Sequence, residues 1–244
     1  MAHDKDPRML VHKDVPFNAG PPLDLLAGRM ITPVDAFFVR SHGDIPVLDR
    51  ADHRLRVTGM VDRPLDLSMD DLVEQFPIRT VTATVQCAGA RREELSLVRP
   101  VLAEVPWGPE PVGTATWTGV PLAAVLAKAG VGPGAAHVSM VGLDAVTLPA
   151  GETRFGGSIP LAKALSTEVL LAFDMNGEPL RPAHGAPLRA VVPGFIGARS
   201  VKWLAGIELT TEPSANHFQR RAYKLFPPDV TAQDADWEDP RAPM

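Results

Sequence analysis

Apolar and polar residues alternate from Leu55 to Val61, the period-2 mark of a strand with one buried face. The alternation returns from Thr80 to Gln86, with Val81, Ala83 and Val85 on one side. Between these segments Ser68 offers an N-cap to a short helix that must stop before Pro77. Pro121 to Lys128 predicts a helix with Pro121 in its first turn and Gly130 as its C-terminal stop. Val138 to Val141, Val169 to Phe173 and Leu188 to Val192 are apolar runs of the length of buried strands, and Asn176-Gly177 after the second is a hairpin signal. After Val192 the chain is broken by Pro193-Gly194 and Gly197, and an apolar pattern then resumes from Val201 to Leu209. Breakers so closely spaced between two strands predict a backbone shaped around a ligand. Strands predominate without a regular strand and helix alternation, so the pattern predicts an α+β fold with mixed β-sheets and few, scattered helices.

The first fifty residues hold Pro7, Pro16, Pro21, Pro22, Pro33 and Pro46, a spacing that forbids long helices. An extended arm over residues 1–31, with little local structure of its own, is expected there. The longest apolar runs, such as Ala190 to Ile196, are far shorter than the roughly 20 residues of a membrane-spanning helix. The amino terminus, MAHDKDPRML, has acids where a signal peptide carries basic residues. A cytoplasmic location without membrane insertion is the expectation, or a periplasmic one if an export signal has been removed.

Composition adds that 45% hydrophobic and 22% charged residues in 244 suffice for an ordinary globular core. A net charge of -5 argues against a nucleic-acid partner, which needs a basic face to displace phosphate counterions. Local clusters cut across the overall sign: Arg91 with Arg92, Arg199 with Lys202, and Arg220, Arg221 and Lys224 around Tyr223, the only tyrosine. Such clusters are commonly solvated surface, but three of them in turn-like segments suit a small anion.

Cys87 is the only cysteine, which excludes an intramolecular disulfide and a zinc site of several thiols. It is therefore a buried filler, a lone nucleophile or a lone metal ligand. The string TVQCAGARR puts it at a strand end before a glycine turn and two guanidinium groups, and adjacent positive charge lowers a thiol pKa. As a nucleophile it would need a histidine base, for which His42, His137 and His184 are available, so a cysteine hydrolase remains open. FFVRSHGDIP places Arg40 and His42 on one side of an extended segment, where both could donate to one phosphate. His184, Arg189, Arg199 and Lys202 gather around the broken strands, and burying them without an anionic partner would be costly.

Four strings, FFVRSHGDIP, QCAGARR, FDMNGEPLRPAHGAPLRAVVPGFIGARSVKWL and HFQRRAYKLFPP, resemble blocks of the sulfite oxidase family in the same order, over Thr32 to Pro228. The resemblance implies a molybdopterin-binding oxidoreductase domain at 32–228 and a tail at 229–244, with no haem and without the family's dimerisation domain. By the same resemblance Cys87 ligates molybdenum of the molybdenum–molybdopterin cofactor. Phe38, Val39, Arg40, Ser41 and His42, together with Asp144, His184, Arg189, Ser200, Val201 and Lys202, contact the pterin and its phosphate. Tyr223, Arg40 and Arg92 form the catalytic group facing the oxyanion. The implied reaction is oxidation of sulfite to sulfate by oxo transfer, with electrons passed to an external acceptor such as a cytochrome. Nitrate or a sulfoxide as substrate, and a cofactor carrier without turnover, are the alternatives. The chain departs from the family pattern at Ser41, Ala90 and Ala222.

Overall fold

The arm is where the fold first departs from expectation. The computed structural model describes residues 4–98, 100, 101, 104–224, 226, 230, 234 and 236, so most of the 229–244 tail lies outside the described residues. The proline-rich start forms a hairpin of β1 (Leu10–Lys13) and β2 (Asn18–Gly20), followed by one helical turn, α1 (Leu23–Leu26). Prolines set the bends, and the residues between them still find partners. Ala19 and Val39 exchange both backbone hydrogen bonds, at 3.0 and 2.8 Å. Phe17, Ala19 and Val39 bury together in a small satellite core, so the expectation of little local structure is corrected.

β3 (Arg54–Gly59) and β4 (Leu65–Ser68) follow as an antiparallel pair, with Leu55 and Val57 fully buried. Val61 lies past the strand and bridges to Val131 instead. α2 (Met69–Gln75) starts on a capping box in which Ser68 and Asp71 satisfy each other's backbone N–H groups. β5 (Arg79–Gln86) delivers Cys87, and a short α3 (Arg92–Ser96) comes next. β6 (Val112–Pro121) leads straight into α4 (Leu122–Ala129). Pro121 is the N-cap of that helix rather than its first residue, because its ψ of 127° is still extended; Gly130, at φ 73°, ends it. The remaining elements are β7 (His137–Leu148), β8 (Gly151–Pro160), α5 (Leu161–Ala164), β9 (Leu170–Met175), β10 (Glu178–Pro179), β11 (Arg189–Val191), β12 (Leu204–Thr210) and α6 (His217–Arg220).

These strands make two main sheets. One is antiparallel, in the order β10-β9-β6-β5, with β11 also paired to β9. The other runs β4-β3-β12-β7-β8 and is mixed, since β12 lies parallel to β3 and antiparallel to β7. The α+β class with few helices is therefore observed. β6 and β8 are strands that the sequence pattern did not suggest.

The main core joins the mixed sheet to α2 and α4, and a second apolar cluster of Trp107, Trp117, Phe37, Phe38 and Cys87 lies against the antiparallel sheet. Leu126 on α4 is wholly buried. Leu126→Ala is expected to cost about 2–5 kcal/mol, through lost transfer energy and a residual cavity. A denaturant midpoint shifted by that amount with an unchanged m-value is the check.

One feature of this architecture positions the site. β10 and β11 lie on the edge of β9 that β6 leaves free, and the chain between them leaves the sheet. That excursion carries a 3-10 turn, Pro182–His184.

Candidate functional site

A single cavity is lined by Phe38, Arg40, Ser41, His42, Cys87, Asp144, His184, Arg189, Ser200, Lys202 and Tyr223. Residues from six separate stretches of sequence thus converge on one space. The thiol is held at the end of β5 by a backbone hydrogen bond from Cys87 N–H to the Pro111 carbonyl at 2.9 Å, and the Gly89 N–H points at Sγ at 3.4 Å. Gly197 lets the 3-10 turn Gly197–Arg199 close over this strand end, because a Cβ there would stand 2.9 Å from the Gln86 carbonyl oxygen. The expected lowering of the thiol pKa is not what the protein produces by itself. Burial raises it, and the opposing pull of Arg40 and Arg92 is smaller. Coordination to a metal, which deprotonates a thiol outright, would reverse that balance.

Beside the thiol lies a mouth lined by Arg40, His42, Arg92, Glu104 and Tyr223. Arg40 is braced by the Asn18 side chain at 3.2 Å and the Ser41 carbonyl at 2.7 Å, so the N-terminal hairpin sets its direction. Only Val39 of its segment pairs as a strand would, and Arg40 to His42 run on as irregular chain. Arg92 donates to the Val105 carbonyl at 2.8 Å and lines the mouth rather than the inner cavity. Glu104 lies 3.9 Å from Arg40 and 3.6 Å from Arg92, a shared carboxylate that tempers the charge of both. The Tyr223 hydroxyl and His42 Nε2 are 2.9 Å apart, and the His42 ring stacks on Phe155 with centroids 4.7 Å apart. Burial pushes the Tyr223 phenol up to about 12 and His42 well below its ordinary value, so both are neutral near pH 7.

The other end of the cavity is a cluster of buried cations. Arg189 donates to the carbonyls of His184 at 2.9 Å and Ser200 at 3.2 Å, with its guanidinium 4.8 Å from the Trp117 ring centroid. Lys202 Nζ donates to Ser41 Oγ at 3.1 Å and the Ala183 carbonyl at 3.0 Å. Gly185, at φ 102°, makes this convergence possible, because a Cβ there would meet Lys202 Cβ at 3.0 Å and Arg189 Cβ at 3.1 Å. Trp203 also takes a positive φ, 50°, uncommon for a bulky residue and of order 1–3 kcal/mol in cost. It is held by its indole N–H donating to the Pro182 carbonyl at 2.9 Å and by the Lys202 ammonium 4.2 Å from its ring centroid. Strain of this kind gathers where a chain is shaped around a ligand.

Burial lowers the pKa of Arg189 to about 9 and holds Lys202 and His184 well below their ordinary values. Asp144 is the acid facing them; its carboxyl is raised to about 6 by burial, and its Oδ1 finds no hydrogen-bond donor among the described residues. Basic groups thus outnumber the one acid, burial without an anion drives them toward their neutral forms, and one buried acceptor, Asp144 Oδ1, is left open. An anionic phosphate with a polar ring beside it satisfies both, so the donor set fits a phosphorylated pterin.

Three residues predicted for the site lie off the inner cavity. Val39 is in the satellite core, Val201 is in the main core, and Arg92 is at the mouth. Arg199 packs instead against Gly157 and does not line the cavity. Sequence reasoning missed Asn18, Glu104, Phe155 and Trp203. Trp203 alone left a signal, as the neighbour of Lys202.

The oxidoreductase molybdopterin-binding domain model matches residues 42–218. Sulfite oxidase of Gallus gallus is 44% identical over 96% of this chain and 50% of its own length. An NADH nitrate reductase of Solanum lycopersicum is 41% identical over 91% of this chain and 25% of its own. Among solved structures, the sulfane dehydrogenase SoxCD of Paracoccus pantotrophus superposes with a TM-score of 0.74 at 31% identity, over 88% of this chain and 52% of that one. The chain therefore spans about half the length, or less, of these relatives. A cavity that pairs a thiol with buried cations, on a chain matching the family model over most of its length, places the protein in the oxidoreductase molybdopterin-binding domain family.

Proposed function

We propose that this chain binds the molybdenum–molybdopterin cofactor and oxidises sulfite to sulfate, passing electrons to an external acceptor. The observation that carries the reading is the continuity of one cavity from the Cys87 thiol and Tyr223 to Arg189 and Lys202, a soft ligand near one group and phosphate donors near the other. In this reading Cys87 holds the metal. His184, Arg189 and Lys202 hold the cofactor's phosphate and pterin, Ser200 braces Arg189 through its carbonyl, and Phe38, Ser41, His42 and Asp144 border the ring. When bound, the cofactor supplies a two-electron redox centre capable of oxygen-atom transfer.

The chain's own residues do the rest. Arg40 and Arg92 attract and orient a small dianion at the mouth, and Glu104 keeps the site from becoming a sink that would retain sulfate. Tyr223 remains protonated at neutral pH, so its hydroxyl is a donor to an anionic oxygen while neutral His42 fixes its direction. Conversion of sulfite and water to sulfate releases two protons and two electrons; the protons leave through the mouth that His42 and Tyr223 line, and the electrons pass to the acceptor.

Sulfite-dependent reduction of ferricyanide by the cofactor-loaded protein tests the proposal. Turnover with sulfite and none with nitrate under reducing conditions is expected, and the opposite pattern overturns the substrate. Tyr223→Phe removes one hydrogen bond to a charged oxygen and is expected to lower kcat about tenfold, with cofactor content unchanged. Steady-state kinetics and pterin content of that variant are the check.

A further inference from the structure

The N-terminal segment puts a lysine into the wall behind the cation cluster, where the chemistry proposed above does not use it. Lys5 is 5% exposed. Its Nζ lies 2.6 Å from the Val34 carbonyl oxygen, 2.8 Å from the Phe37 carbonyl oxygen and 2.5 Å from His184 Nε2. An ammonium has three N–H donors and no acceptor, and here it meets two carbonyl oxygens and an imidazole nitrogen that accepts only in the Nδ1–H tautomer. The backbone on either side is fixed to the domain: Arg181 donates to the Asp4 carbonyl at 2.7 Å, and Asp6 N–H donates to the Asp35 carbonyl at 3.1 Å.

We propose that Lys5 is a positioning residue for the phosphate end of the cofactor cavity, fixing the His184 imidazole with Nε2 as acceptor and Nδ1–H as the donor left for the ligand. The inference rests on the cofactor reading given above. Lys5 does not line the cavity, whereas His184 does, so it acts through the ring. His184 Nε2 also lies 3.2 Å from the Val34 carbonyl. In the presence of Lys5 that contact is two acceptors sharing one ammonium. Without the ammonium, Nε2 would turn donor to the carbonyl, and Nδ1 would lose its proton, leaving a lone pair in place of the donor that the proposal assigns to the ligand. The Phe37 ring, 5.5 Å from the His184 ring centroid and nearly perpendicular to it, keeps the imidazole plane in place for either tautomer. Burial lowers the Lys5 pKa to about 7, with Arg181 adding to the fall and Asp35 and Asp4 opposing it. An anionic phosphate nearby would favour the charged form.

The test uses the full chain labelled with nitrogen-15 at histidine, as wild type and as Lys5→Met, which keeps the length and apolar bulk of the side chain. Nitrogen shifts of His184 report which ring nitrogen carries the proton. The expected result is an Nδ1–H ring in the wild type and an Nε2–H ring in Lys5→Met, with cofactor lost from the variant at least about tenfold faster, the penalty of a repelled phosphate oxygen. Cofactor loss is read as fluorescence of the oxidised pterin released over time. A wild-type ring protonated at Nε2, or equal tautomers and equal pterin release in both proteins, would overturn the role of Lys5. Absence of pterin from the wild type would instead sink the underlying cofactor reading, and the tautomer measurement would still judge Lys5. If Lys5→Met fails to fold, Lys5→Gln, which keeps donors but no charge, is expected to restore the Nδ1–H ring, and an Nε2–H ring in it overturns the proposal.

Discussion

Cys87→Ser is expected to lower sulfite-dependent turnover by about a thousandfold, near 4 kcal/mol at 1.36 kcal/mol per decade, while the fold persists. Serine nearly matches cysteine in volume, so packing beside Val85 and Trp107 changes little. Burying its hydroxyl costs about 1–3 kcal/mol in stability, which a domain of this size tolerates. The chemical change is much larger. A soft thiolate becomes a hard oxygen that stays protonated at neutral pH, and the metal's potential and spectrum shift with it. Were Cys87 only a buried filler, as its place in an apolar cluster allows, turnover would fall no more than stability does. Side-by-side turnover, absorption spectra and denaturant midpoints separate the two readings.

Lys202→Met is expected to have the second-largest effect, a ten- to hundredfold loss of cofactor retention, the size of a lost charge-assisted hydrogen bond. It is also expected to leave the cofactor-free domain melting no lower than the wild type. The reason lies in the sign of the pKa shift. Burial, with Arg189, Lys5 and Arg40 nearby, holds the Lys202 pKa in the folded chain well below its ordinary value of 10.5, so at pH below 10.5 burying this side chain opposes folding, through loss of its proton or desolvation of its charge. Asp144 offsets part of this. Replacing the ammonium by a thioether removes the penalty along with two hydrogen bonds, to Ser41 and Ala183. Pterin content and the melting temperature of the cofactor-free protein, measured together, check both halves; a variant that keeps its cofactor and melts lower would assign Lys202 to structure alone.

How much of this was legible beforehand depended on whether a residue's role is local. β5 and α2 could be read because period-2 alternation and the Ser68 cap are sequence-adjacent signals. β6 was hidden because its inward positions include Gly113 and Gly119, which look like breakers but leave room for the Phe37 ring and for the β9 backbone. β8 was hidden in the same way by Gly156-Gly157. Prolines made the arm look structureless, although Asn18 and Ala19 between them brace Arg40 and pair with Val39.

In the site, residues inside the resemblance blocks were identified by their neighbours in sequence. Lys5, Glu104 and Phe155 lie outside those blocks, and only tertiary contact brings Lys5 to a residue 179 positions away. The thiol pKa went the wrong way on sequence reasoning because adjacent arginines are visible in a string and desolvation is not.

One thiol and one set of buried basic residues, in the function proposed for this chain, hold a molybdenum cofactor between them. X-ray absorption at the molybdenum edge, on wild type and Cys87→Ser purified from cells that make the cofactor, tests it most directly. Molybdenum is expected in both proteins, with one sulfur neighbour fewer in the variant. The same sulfur count in both, or a folded wild-type protein that carries no molybdenum, would contradict it.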